Sequence, residues 1–195
     1  LDFLRSREAW TTLIILVVAQ AAVVTSVESS NWVREMPSLA AAGFSGLALG
    51  WLSAQIRTRA AWLVLVIPVA GGLSVAGLVL HTMRLSDPSA VGSLAVRWSE
   101  FKLRIAHWIE TLIDGGISND SLPFVLLLVA LVWLIAFLSA WSAVRWRNAW
   151  VALLPLGVLL LTNIAYLPEQ PVFAFNVFLF AAVVLATRLH VLPLR

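Results

Sequence analysis

An all-α, polytopic integral membrane protein is the fold class that the sequence predicts, and three observations predict it. The 195 residues are 61% hydrophobic and 12% charged, against about half and about a quarter in a soluble domain. The apolar residues gather into runs of roughly 20, the length that crosses a bilayer as a helix. Those runs lack the period-2 alternation of the other spanning solution, a closed β-barrel, as the unbroken stretch 124–132 shows. So apolar a chain also excludes disorder.

Six runs qualify as spans: residues 9–27, 37–56, 61–81, 122–144, 149–167 and 171–187. The first has no A-x-A-like cleavage site and opens with a pattern that recurs later, so it reads as a retained helix rather than a signal peptide. Leu1 in place of Met implies an N-terminus that is processed, trimmed or incompletely known. The sequence Arg-x-Arg-x-Ala-Trp occurs three times, as Arg5, Arg7 and Trp10, as Arg57, Arg59 and Trp62, and as Arg145, Arg147 and Trp150. Each copy opens an odd-numbered span. Each even-numbered span opens at or beside a proline, Pro37, Pro123 or Pro171, which suits a first helical turn because its missing N–H has no intrahelical partner there. The chain therefore reads as three helical hairpins in series, with the Arg pairs among headgroups and the Trp residues as interfacial anchors. Pro68 and Pro155 fall inside spans three and five, where they predict kinks.

Between spans three and four, residues 91–113 place Val91, Leu94, Trp98, Phe101, Ile105, Trp108, Ile109, Leu112 and Ile113 at helical spacing on one face. This predicts an outer amphipathic helix. Its apolar face lies in the membrane interface or packs on the ends of its own bundle. Trp98, Phe101 and Trp108 are its candidate docking residues. Gly115 and Gly116 break it before the fourth span.

Charge sets the orientation. One side of the six-span topology carries eight basic and two acidic residues, for a net charge of +6, and the other carries five basic and eight acidic, for −3. The basic side is cytoplasmic by the positive-inside rule, so both termini are expected inside, in an inner (cytoplasmic) membrane. In the second span, Ala42, Gly46 and Gly50 repeat at four-residue spacing and predict a close helix-packing seam.

Chemistry is sparse. There is no cysteine, which excludes a thiolate nucleophile, a disulfide and a cysteine metal site. No Asp, Glu, Lys or Arg falls mid-span, as proton or ion carriers would require. The deepest polar residues are Gln20, Asn163 and Asn176, which read as inter-helix hydrogen-bonding groups. His81, His107 and His190 form no metal-ligand pair. His81 is the best placed to ligate a haem or chlorin, but a lone histidine at a span end reads as an interfacial polar residue. No cofactor, metal or enzymatic constellation is expected. Five scattered outer basic residues make no nucleic-acid surface. The expected partners are the lipid bilayer and proteins in the membrane or on its outer face.

Several stretches together resemble the N-terminal membrane domain of bacterial transglutaminase-like membrane proteins. They are residues 7–10, 26–36, 118–120, 136–145, 149–155 and 163–168, among them Trp10, Trp32, Asp120, Trp141, Pro155 and Asn163. The resemblance runs through nearly the whole chain and implies a non-catalytic anchor or scaffold. In that family a papain-like domain with a Cys-His-Asp triad follows on the outer side, after further spans beyond the position of Arg195. Two other functions suit the same sequence: an accessory subunit of a larger respiratory or photosynthetic membrane complex, and a carrier of an apolar substrate.

Overall fold

The structure is a computed structural model that describes residues 7–30, 32, 36–55, 60–83, 93–116, 119–166 and 172–191, apart from the side chains of 7–9, 60–66 and 191. Seven helices and no strand occur among the described residues: α1 (Arg7–Ser29), α2 (Leu39–Gln55), α3 (Ala60–Thr82), α4 (Leu94–Ile113), α5 (Leu122–Arg145), α6 (Ala149–Tyr166) and α7 (Val172–Val191). Their order and bounds follow the apolar runs closely. The exception is α7, which continues a turn past the expected end at 187. Arg188 remains in the helix, with its Nε donating to the Thr12 hydroxyl of α1 at 3.3 Å.

Among the described residues, four helical stretches are long and apolar enough to cross a membrane: Trp10–Ser29, Leu122–Arg145, Ala149–Tyr166 and Val172–His190. These four coincide with the first, fourth, fifth and sixth of the six expected spans. Helix α2 is described over 17 residues, and its Gly and Ser dilute the apolar run. In α3 the shorter apolar stretch Ile67–Thr82 is the part with described side chains. Pro68 and Pro155 both sit inside their helices.

Helix α5 is central. It packs against α2, α3 and α6, while α1 packs against α7, α2 and α6. The closest pairings, α2 with α5 and α1 with α7, join elements distant in sequence, so the three expected hairpins are not separate packing units. Contacts fix the directions. Trp10 meets Trp51 and Glu28 meets Ala40, so α1 and α2 are antiparallel. Gly46 faces Trp133 and Gly50 faces Phe137, so α2 and α5 are parallel. Ser139 of α5 donates to the Ala152 carbonyl of α6 at 2.6 Å, across an antiparallel pair. One end of the bundle therefore gathers Trp10, Trp51, Arg145, Arg147 and Arg188. The opposite end gathers Glu28, Asn163, Asp120 and α4.

The core is formed by fully buried residues such as Leu16, Val23, Leu39, Val129, Leu156 and Leu185. Large apolar side chains also cover the outside: Leu73, Leu127, Phe173 and Phe180 are each at least two-thirds exposed. An apolar exterior around an apolar core is what lipid contact selects, because lipid tails do not distinguish inside from outside by hydrophobicity.

Candidate functional site

The candidate site is the end of the bundle that carries α4. Ser93 caps the helix, its hydroxyl accepting from the Val96 N–H. None of its residues is fully buried. Phe101 and Ile105 lean on the core of the bundle. Trp98 stacks on Phe101 with ring centroids 5.6 Å apart, yet it remains 44% exposed, and Trp108 is half-buried. Leu94, Leu112 and Ile113 are largely exposed. Packing on the bundle thus takes a narrow strip of the apolar face and leaves its two ends uncovered by described residues. Val91 lies outside the described residues.

Two arginines, seven residues apart on one face, fasten α4. Arg97 Nη1 donates to the carbonyls of Leu80, His81 and Met83 at 2.9, 3.0 and 3.0 Å. These are carbonyls at the C-terminus of α3, which a helix end leaves without intrahelical donors. A cation there also opposes the negative end of the helix dipole. Arg104 forms a two-pronged pair with Asp120: Nε donates to Oδ2 at 2.7 Å, and Nη2 donates to Oδ1. Asp120 Oδ1 also accepts the Leu122 N–H at 2.9 Å, at the start of α5. One guanidinium therefore ties α4 to α3 and the other ties it to α5. In the sequence both arginines fall between the apolar positions that mark this helix. Their i, i+7 spacing, three or four residues from Phe101, was the available signal.

The Arg104 guanidinium, hydrogen-bonded to Asp120, holds that carboxyl below the ordinary carboxylate range, against the opposing effect of burial. A depressed carboxylate pKa stabilises the fold fully above the unfolded value, and the contribution is lost as pH falls through the folded one. Asp120→Asn is therefore expected to lower the melting temperature at pH 6. That deficit should disappear only below about pH 4, the ordinary carboxylate region. Melting curves from pH 6 to 3 check this, and a deficit that does not change with pH would remove the charge from the explanation.

Beside this end lies a polar knot. Asn163 Nδ2 donates to the Ser26 carbonyl at 2.8 Å and to the Ser26 hydroxyl at 2.9 Å. Its Oδ1 accepts from Ser30 Oγ at 2.7 Å and from Trp32 Nε1 at 3.0 Å. Trp32 in turn meets Tyr166 edge-on at 6.1 Å. The deeper Gln20 differs from its expected role. It is fully buried, and neither amide atom has a hydrogen-bond partner among the described residues. A Cβ at Gly43 would collide with its Nε2, so glycine at 43 is what admits the side chain. Asn176 is exposed on α7.

Ala42 is fully buried, and Gly46 and Gly50 face the α5 backbone. His81 is exposed at the end of α3. No cluster of three or more His, Asp or Glu that would hold a metal occurs among the described residues. Of the anchors, Trp10, Trp150, Arg145 and Arg147 are exposed at the far end of the bundle. Arg5, Arg57 and Arg59 lie outside the described residues, as do the side chains of Arg7 and Trp62. No protein-family model matches the chain, and no curated protein or solved structure matches it.

Proposed function

We propose that the chain is a non-catalytic membrane scaffold that crosses the cytoplasmic membrane six times with both termini inside. Helix α4 then seats a partner protein or domain on the outer face. The carrying observation is the mismatch on α4. Two arginines hold the helix firmly against α3 and α5, while Leu94, Trp98, Leu112 and Ile113 stay exposed. A fixed helix with an uncovered apolar face is a docking ridge, since each large apolar side chain taken from water contributes roughly 1.5–3 kcal/mol. The alternation of helix directions and the separation of Arg145, Arg147 and Arg188 from the acidic end support the orientation. The transglutaminase-like resemblance supports an outer enzymatic domain as the occupant.

Replacing Trp98→Glu together with Trp108→Glu is expected to weaken co-purification of the partner about tenfold, equivalent to ~1.4 kcal/mol. Insertion should be unaffected. In that variant, a single cysteine at Thr58 should be shielded from an impermeant maleimide in intact cells, and one at Ser99 should label. Because these 195 residues contain no cysteine, each label within them reports one position. A variant that keeps its partners at full strength overturns the docking role. Labelling at 58 with protection at 99 overturns the orientation.

A further inference from the structure

We infer that the groove between α6 and α7 is a binding site for an anionic phospholipid, with its acyl chain against the groove and its phosphate at Arg147. The groove has a volume of about 310 Å³ and is walled by Leu153, Leu154, Gly157, Val158, Phe178 and Val183, an almost wholly apolar lining. It runs from Ala149 and Trp150 to Leu161 along α6. At 1.5 Å per residue that is roughly 18 Å, close to one leaflet of a hydrocarbon core about 30 Å thick. A partner helix that crosses the whole bilayer would call for a seam of twice that length. One acyl chain matches it.

The arginines at this end of the bundle supply the headgroup chemistry. The groove begins two residues after Arg147, at the bundle end that also carries Arg145 and Arg188. Arg147 is exposed and sits in the left-handed region at φ 51°. It follows the α5 C-terminus in a turn closed by the Trp146 and Asn148 N–H groups, both donating to the Ser142 carbonyl at 3.1 and 3.3 Å. Glycine ordinarily fills this post-helical position, because a Cβ there is strained. The chain instead carries a guanidinium, which can clasp a phosphate bidentately. The α6 N-terminus does not compete for the headgroup, since the Asn148 side-chain oxygen already accepts the Trp150 and Val151 N–H groups at 3.0 and 3.2 Å.

The test uses the full chain in neutral detergent, titrated with phosphatidylglycerol or with phosphatidylcholine of the same acyl chains. Phosphatidylglycerol is expected to raise the melting temperature by roughly 5–10 °C at a hundredfold excess over Kd and to remain bound in native mass spectrometry. Phosphatidylcholine and inorganic phosphate should do neither. Arg147→Gly separates the headgroup contact from fold stability. It should melt higher than the native chain without lipid, because the left-handed turn is relieved, yet bind phosphatidylglycerol about tenfold more weakly. Gly157→Leu fills the groove and should abolish the lipid shift with Arg147 intact. Equal shifts from the two lipids overturn the site. So does an undiminished phosphatidylglycerol shift in Arg147→Gly, or one in Gly157→Leu that marks headgroup adsorption alone.

Discussion

Gly50→Leu is expected to prevent assembly of the bundle, and Gly46→Ala to destabilise it by about 1–3 kcal/mol or more, the cost of overpacking an interior. The reason lies in what each new side chain would meet. A Cβ at Gly50 would overlap the carbonyl of Phe137, and one at Gly46 would overlap the carbonyl of Trp133. Both obstacles are α5 backbone, which cannot rotate away as the end of a side chain does, so the two helices must separate. Ala42, fully buried one turn earlier, continues the same seam. Gly72→Ala and Gly77→Ala are the controls, because a Cβ at either position meets nothing within 4 Å. Both should be neutral or slightly stabilising, since alanine favours a helix over glycine. Melting in detergent and the monodisperse fraction on gel filtration read the contrast. Equal behaviour of positions 46 and 72 would remove the seam.

Asn163→Leu is the second substitution with a large expected effect. The amide uses its full capacity, two donors and two acceptor lone pairs, on Ser26, Ser30 and Trp32. Leucine fits the volume but leaves their polar groups short of partners, at a cost of about 1–3 kcal/mol for a buried polar group stranded in this way. Over a chain of this length that lowers the melting temperature by roughly 2–12 °C. Ser30→Ala breaks one of these bonds and should cost a fraction as much. A Ser30→Ala effect equal to that of Asn163→Leu would show that the amide is not the hub.

Which features were legible in the sequence depended on the range of the interaction. Span positions depend on composition over 20 residues, so the runs around Leu16, Val129 and Leu156 marked their helices directly. The amphipathic period of α4 was equally local. The small-residue spacing of Ala42, Gly46 and Gly50 marked a seam but not its partner, because nothing near α2 in sequence identifies Trp133 and Phe137. Arg97 and Arg104 were visible as charges and hidden as fasteners, since their acceptors belong to α3 and α5. Asn163 matched its expected bonding between helices, whereas Gln20 did not. An amide in an apolar run announces a need for partners and says nothing of whether the fold supplies them.

The parallel pairing of α2 with α5 has a consequence for the order of events during synthesis. Gly46 and Trp133 are 87 positions apart. At 5–20 residues per second the ribosome needs about 4–17 s to cover that distance. Through that interval α2, the short glycine-bearing helix, waits beside α1 with its seam unfilled. Helix α1 waits longer still for α7, since Thr12 and Arg188 are 176 positions apart. Helices are made in chain order, but closure of the bundle is deferred until α7 has been synthesised. A stalled nascent chain would therefore present the smooth α2 face to the insertion and quality-control machinery as a mark of incompleteness.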